Sequence, residues 1–573
     1  MADGAGKAER VKEALRRLRP LWGAKANDVY RAYLLEDNEG KAEIEAYLEA
    51  LLAQHFHYDL SSDIEEPLPP EPSSADGSYG LGTIVYAGRA IGSFGLRESE
   101  WIQHVGIFGR TGAGKTNVGY LVLRELKRHK KPFLVFDWKR NYRDLIAKPD
   151  FGDIEVYTIG RPIAPLSFNP LIPPEGTPPK TWLKKIIEVI AHAYMLGNGV
   201  IYLLQQSIDA VYERYGVYEG TCQRYPTFRD ILGELRDYPG KGREAGWLSS
   251  ALRALSALCF GDMEKTVIWH DNQHLERLLD RQVVLELDAL AQSDKIFFIQ
   301  ALLLWIHHRR MVEGFREQFK HAILIEEAHH VLSGERRSLI GGQSVMEITF
   351  REIREFGEAL VILDQHPSQI SLPALGNTYT TVCLNLKHSR DVNAMAQCML
   401  MDGKERDILG ALKVGQAVVK LQGRVPKPFL IEIPEFELQK GTIPDDVISS
   451  RKRTVYFPSF SSGTESFPPL GASPEGGLSQ RPIEPELAMC FLKDVEIFPD
   501  SGIARRYHRL GVSVRQGQKI KEHLLAAGLI TETRERTQTG VVRFVRLTER
   551  GKQALVNHEK SVSEASESKE ARV

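Results

Sequence analysis

The sequence predicts an α/β fold: a mainly parallel sheet covered by helices, with a helical subdomain inserted into it. Three observations predict this. Seven short runs rich in β-branched residues recur through the middle of the chain: HVGIFG, FLVFDW, IEVYTIG, QVVLELDAL, HAILIEE, ALVILDQ and YTTVCLNL. They are apolar throughout rather than alternating, as strands buried on both faces are. Helical segments separate them, the pattern of parallel strands joined by crossover helices. The alternation breaks across residues 175–275, where TWLKKIIEVIAHAYML, YLLQQSIDAVYERY and FRDILGELRDY read as an inserted helical subdomain.

In chain order, residues 1–56 read as helical, with Val11, Leu15 and Leu18, then Ile44, Tyr47, Leu48 and Leu51, at helical spacing. This region is expected to serve oligomer or partner docking. Residues 57–81 (EEPLPPEPSSADGS) read as an acidic, Pro-rich linker or an extended arm, and the body as 82–445. A Pro/Gly/Ser-rich linker is expected at 446–483, a compact domain at 484–557, and a polar, disordered tail at 558–573.

Hydrophobic residues make up 42% and charged residues 26%, an ordinary globular composition. The net charge of −1 carries no global sign of a nucleic-acid partner, so such a partner must be read by a local basic patch. Cys222, Cys259, Cys383, Cys398 and Cys490 form no CxxC pair, which argues against a disulfide framework or structural zinc and for a reducing compartment. The charged N-terminus has no apolar signal region. The longest apolar stretch, Ile296–Ile306, is too short for a bilayer and runs straight into His307, His308, Arg309 and Arg310. It is expected to be a buried core helix, and the chain to be cytoplasmic with no membrane partner.

The chemistry starts at HVGIFGRTGAGKTNVGYLVLREL, which contains G-x-x-x-x-G-K-[ST] between an apolar strand and an amphipathic helix. Glycines let backbone N–H groups turn inward on phosphate oxygens, and the helix N-terminus adds its positive dipole end. Gly109, Thr111, Gly112, Ala113, Gly114, Lys115, Thr116 and Asn117 are therefore the expected nucleotide-binding set. Lys115 would bridge the β- and γ-phosphates of ATP, and the Thr116 hydroxyl would ligate Mg²⁺.

HAILIEEAHHVL ends an apolar strand in Glu326 and Glu327. Glu326 is expected to hold Mg²⁺ through water and Glu327 to polarise the attacking water. His329 and His330 lack HExxH spacing and read as packing residues. Asp137, closing FLVFD, is expected to support the metal, and Gln365, closing VILDQ, to touch the γ-phosphate or the lytic water. Arg351 and Arg354 lie one turn apart in FREIREFGEA. Either could act as an arginine finger, or pair with Glu352, Glu355 or Glu358.

HVGIFGRTGAGKT, FDWKRNY, SFNPL (Asn169, Pro170), VVLELDAL, ILIEEAH, REIREFG, LDQHPS and GQAVVKLQG (Gly415, Gln416) occur in an order that resembles the HerA branch of the HerA/FtsK superfamily over roughly residues 82–440. The resemblance implies a RecA-like P-loop core. It also implies a homo-oligomeric, hexameric ring that hydrolyses ATP between subunits and pumps duplex DNA through its central channel. It implies Lys115, Thr116, Asp137, Glu327 and Gln365 as the site within one subunit, with Arg351 or Arg354 reaching in from the next. Proteins of this kind act with an effector such as a nuclease or a sirtuin-like NAD hydrolase, in DNA processing or antiphage defence. An ATP-binding ring that regulates such an effector without pumping DNA is the alternative, and a conjugative type IV secretion ATPase a further one. Three departures stand out: a helical region where that family has a β-barrel, Gln103 rather than a basic residue before His104, and the added C-terminal domain.

That domain reads as a winged helix, with a β-ribbon turning at Thr539 and Gly540. From Ser501 to Lys552 twelve Lys and Arg face four Glu, a local excess that fits phosphate-backbone binding. The helix starting near Ser513 would enter a major groove, with Arg515, Gln516, Lys519 and Arg543 as DNA contacts, unless the domain binds protein instead.

Overall fold

The computed structural model describes residues 2–56, 66–267, 269, 272, 274–314, 316–333, 345–451 and 485–499; beyond these it describes 501, 506–507, 509–510, 512, 517, 520–521, 523–525, 527–537 and 540–555. The chain divides into two units, residues 1–463 and 464–573.

In the first unit the seven apolar runs all become strands: β3 (Val105–Phe108), β4 (Phe133–Asp137), β5 (Glu155–Thr158), β6 (Gln282–Glu286), β7 (His321–Glu326), β8 (Glu358–Asp364) and β9 (Thr380–Cys383). They are mutually parallel, in the order β9-β3-β8-β7-β4-β6-β5. Successive side chains leave opposite faces, so each run feeds two cores. Val105, Ile107, Phe133 and Val135 pack on the face that holds the helix Lys115–Arg128. Phe108, Leu134 and Phe136 pack on the face that holds the long helix Gln292–Glu313 and the helices inserted between β5 and β6. Ile296–Ile306 is buried along its whole length, as expected of a core helix.

Two antiparallel hairpins extend the sheet beyond β9. They are β10 (Gln416–Leu421) with β11 (Val425–Glu432), and β1 (Tyr79–Tyr86) with β2 (Arg89–Leu96), giving the outer order β2-β1-β11-β10. Residues 66–78 lie against this edge rather than hanging as a free linker. Ala75 is fully buried, Glu66 Oε2 accepts the Ala87 N–H at 2.8 Å, and Asp76 accepts Ser93 Oγ at 2.8 Å. Three N-terminal helices, Ala2–Trp22, Lys25–Leu35 and Asn38–Phe56, share a small core of Val11, Leu15, Leu18, Ala26, Tyr33 and Leu48. They reach the sheet where Tyr86 Oη donates to the Arg17 carbonyl at 3.0 Å and Phe56 meets the Tyr86 ring edge-on.

Two buried polar clusters tie the strands at the edge opposite the phosphate loop. His104 Nδ1 accepts the Leu360 N–H at 3.1 Å and its Nε2 bonds the Phe350 carbonyl at 2.7 Å. Burial holds this ring down to about 4, so it is neutral. Glu358, fully buried at the start of β8, accepts Arg310 Nε at 2.6 Å and sits 2.6 Å from His321 Nδ1.

The second unit holds the helix Pro485–Ile497 and the ribbon β12 (Ile530–Thr537) and β13 (Gly540–Leu547), antiparallel with Thr537 opposite Gly540. Phe491, Leu492, Val495, Tyr507, Ile520, Leu524, Ile530, Val545 and Leu555 form its own core. Arg515, Gln516 and Lys519 lie outside the described residues, and Arg543 is placed only as a backbone position in β13 opposite Arg534. Two of the twelve basic residues are paired within the unit. Arg506 is fully buried, and both Arg506 and Arg509 bond Asp494, at 2.5 and 2.8 Å.

Candidate functional site

The carboxyl ends of the parallel strands converge on one cavity of about 440 Å³. Its wall includes Thr111, Gly112 and Gly114 from the loop after β3, Lys115, Thr116 and Asn117 from the start of the helix that follows, Glu326 at the end of β7 with Glu327 just past it, and Gln365 just past β8. Residues more than two hundred positions apart in sequence thus meet because parallel strands all end on the same edge.

The loop is built as its glycines require. Gly112 and Gly114 have φ of +77° and +107°, where a side chain would be strained. Gly109 is tucked behind the loop, where a Cβ would sit 2.9 Å from Leu384 Cβ, and Ala113 is buried, so these two support the loop without facing the cavity. Lys115 Nζ reaches back to the Gly109 and Arg110 carbonyls at 2.7 and 3.1 Å. Burial lowers its pKa, and the nearby Glu327 and Asp364 work against that shift. Asn117 is tied up elsewhere, since its Nδ2 donates to the Pro434 carbonyl at 2.9 Å and its Oδ1 accepts the Phe436 N–H at 2.7 Å.

Glu326 is almost fully buried and accepts Asn141 Nδ2 at 3.3 Å. Burial, and then the charge of Asp137, push its carboxyl well above the usual range. Asp137 is pushed up as well, by burial and by Glu286. The carboxylate of Asp137 does not line the cavity, contrary to a direct metal role. It is fully buried and accepts the backbone N–H groups of Lys139, Asn141 and Tyr142 at 3.1, 3.0 and 2.9 Å. This folds the FDWKRNY loop and aims Asn141 at Glu326, so Asp137 supports the site from behind. Among the described residues no group of three or more His, Cys, Asp or Glu is arranged to hold a metal. The donors that do meet here, the Thr116 hydroxyl and one buried carboxylate short of positive partners, suit Mg²⁺, which takes few protein ligands and completes its shell with phosphate oxygens and water.

Glu327 sits just past β7 in the left-handed region, φ 52° and ψ 45°. A non-glycine residue there stores strain, and such strain clusters at functional positions. Its Oε1 accepts Gln365 Nε2 at 2.5 Å and Lys139 Nζ at 2.7 Å, while Gln365 Oε1 accepts the Thr111 hydroxyl. The histidines beside it are packing and hydrogen-bonding groups. His329 Nδ1 lies 2.9 Å from Asp364 Oδ2, and His330 stacks on Trp138.

Arg351 and Arg354 are both exposed and are not brought to this cavity. They precede β8, whereas Gln365 follows it, so the strand's length of roughly 20 Å separates them. Of the glutamates considered as their partners, Glu355 pairs with Arg316 and Glu358 with Arg310.

Three features of the site lay outside the sequence expectation. Lys139, Tyr120 and Asn141 line the cavity. A strap, residues 434–443, crosses its mouth and contributes Glu435, Phe436, Leu438 and Lys440. Asn117 anchors one end of the strap; Asp144 anchors the other, accepting the N–H groups of Gly441, Thr442 and Ile443. Below the loop, Arg143 binds Glu286 with both arms at 2.6 and 2.5 Å and Asp445 at 2.7 Å. That pairing ties the loop after β4 to the end of β6.

Set against known proteins, residues 88–177 match the family described as "Helicase HerA, central domain". The chain is 21% identical over 352 residues to "Probable helicase MJ1565" of Methanocaldococcus jannaschii, a match that covers 59% of this chain and 64% of that protein, less than two thirds of its length. Among solved structures it is similar to VirB4 of Thermoanaerobacter pseudethanolicus (15% identity, TM-score 0.48, 62% of this chain and 96% of that one). It is also similar to the plasmid coupling protein TrwB in complex with ADP and Mg²⁺ (12% identity, TM-score 0.46, 66% and 98%). A segment matching the central domain of HerA therefore lies within a mixed α/β unit whose largely parallel sheet carries a phosphate loop at its carboxyl edge.

Proposed function

We propose that the chain is an ATP-hydrolysing DNA translocase of HerA type that works as a ring. One observation carries this reading: Lys115, Thr116, Glu326, Glu327 and Gln365 share one cavity, while Arg351 and Arg354 sit exposed a strand's length away. The loop N–H groups and Lys115 bind the phosphates. Gln365 and Glu327 face the position of the lytic water, with Glu327 taking its proton. Mg²⁺, when bound at Thr116 and Glu326, supplies charge neutralisation to the phosphates. The half of the site that stabilises charge on the terminal phosphate comes from the neighbouring subunit's arginine. The ring, the duplex DNA in its channel, the winged-helix contact and the effector enzyme belong to this proposal.

The N-terminal helices favour a second reading, a ring that regulates an effector. They expose Leu34, Leu35 and Tyr47 at 55%, 88% and 58%, apolar surface of the kind that docks a partner.

Steady-state ATPase assays with and without duplex DNA separate the two. The translocase predicts severalfold stimulation by DNA. It also predicts that the double substitution Arg351→Ala, Arg354→Ala lowers turnover about 1,000-fold, the scale of an arginine finger. Mixing that variant with inactive Lys115→Ala subunits should restore part of the activity, because one of the two kinds of mixed interface pairs an intact Lys115 with intact arginines while the other lacks both. Turnover without DNA stimulation favours the regulatory ring, and full activity of the double variant removes the shared site.

A further inference from the structure

Lys139 has no role in the reading above, yet its side chain lines the cavity and reaches Glu327. Its backbone N–H is fixed by the buried Asp137 carboxylate at 3.1 Å, and its side chain stays more than half exposed on the cavity wall. The ammonium therefore has a rigid anchor and a flexible reach. It lies 2.7 Å from Glu327 Oε1, the same oxygen that accepts Gln365 Nε2 at 2.5 Å. With two donors on one oxygen, that oxygen has little capacity left for the proton of a water. The other oxygen, Oε2, has His329 Nδ1 at 4.0 Å. One oxygen of the catalytic carboxylate is thus held by a cation and an amide, and the ammonium stands where it competes with a water for that oxygen.

The same cavity brings Lys139 close enough to Lys115 for the two ammonium charges to oppose each other. Two converging cations fit an anion carrying several charges. We propose that Lys139 reads the terminal phosphate of a nucleoside triphosphate: it leaves Glu327 for that phosphate, and by leaving it frees Glu327 to accept the proton of water. A terminal phosphate carries more negative charge than one carboxylate and offers oxygens in several directions, so it outcompetes Glu327 for the ammonium. A diphosphate ends short of this position and leaves Lys139 on Glu327. The link through Gln365 to Thr111 at the tip of the phosphate loop connects the held carboxylate to the loop that wraps the same phosphates. Hydrolysis then resets the device, because losing the terminal phosphate returns the ammonium to the carboxylate.

This inference rests on the ATP site proposed above and concerns what distinguishes its substrate from its product. The test is calorimetric titration of the full chain with the imido analogue of ATP and with ADP, each with Mg²⁺, in wild type, Lys139→Met, Lys139→Arg and Lys115→Ala. The expected result is that Lys139→Met weakens the triphosphate analogue about tenfold or more and ADP by less than about twofold, with Lys139→Arg close to wild type. Equal weakening of both ligands, or no weakening of the triphosphate, overturns the proposal while leaving the ATP site standing. Wild-type protein that binds neither ligand, or a Lys115→Ala variant that binds both normally, removes the ATP site and this inference with it.

Discussion

Replacing Glu327 with Gln should lower ATP turnover by roughly 100- to 10,000-fold, the range for loss of a positioned general base, while Mg-ATP affinity changes by no more than about threefold. The amide keeps the size and the Gln365 contact but cannot take a proton. The residue's backbone makes a second, independent expectation. Glu327 holds φ 52°, a conformation that glycine adopts without strain and alanine does not. Glu327→Ala and Glu327→Gly both remove the carboxylate, so the difference between them isolates the backbone. The glycine variant should be more stable by about 1 kcal/mol in urea unfolding, with both equally inactive. A glycine variant less stable than the alanine variant would mean that the left-handed turn stores no strain.

Glu358→Gln should destabilise the core by roughly 3 kcal/mol at pH 7 and flatten its acid sensitivity. Burial opposes ionisation of Glu358, yet the His321 and Arg310 partners outweigh it and bring the carboxyl down to about 2. The folded value is depressed relative to about 4.5 in the unfolded chain. The contribution is therefore complete above pH 4.5 and lost as pH falls from there towards 2. Urea midpoints measured from pH 7 down to pH 3 should fall steeply below pH 4.5 in wild type and less steeply in the variant. Parallel curves would show that Glu358 is not the group responsible. Removing the charge also leaves the buried Arg310 with Glu313 as its remaining carboxylate partner among the described residues, which adds to the cost at neutral pH.

The parallel half of the sheet was legible because burial on both faces leaves a plain apolar run, and all seven runs became strands. The antiparallel edge was not. In YGLGTIVY and RAIGSFGL glycines interrupt the side-chain pattern, and the outer faces are partly exposed, so neither continuity nor alternation survives in the sequence. The phosphate loop and the Glu326–Glu327 pair were legible because each sits within a few residues of a strand end. Asp137 is expected at the metal because a carboxylate at a strand end reads as a ligand, and it stands behind the cavity wall instead. Its actual work is local: it accepts N–H groups two, four and five residues on, a turn-forming habit of Asp that DWKRNY does carry. The strap was invisible for another reason. It lies more than three hundred residues beyond Asn117 and is held through its backbone, at Pro434 and Phe436, which leaves no side-chain signature. Lys139 carries no signal inside FDWKRNY because its partner, Glu327, is brought to it only by the fold.

The central claim is that Mg-ATP binds and is cleaved in the cavity around Lys115. Single-turnover hydrolysis of γ-labelled ATP by an excess of the purified full chain, wild type beside Lys115→Ala, tests it most directly. The account predicts release of labelled phosphate by wild type that requires Mg²⁺ and falls to background in Lys115→Ala, with the variant's circular dichroism unchanged. Labelled phosphate released equally by a folded Lys115→Ala variant would contradict it.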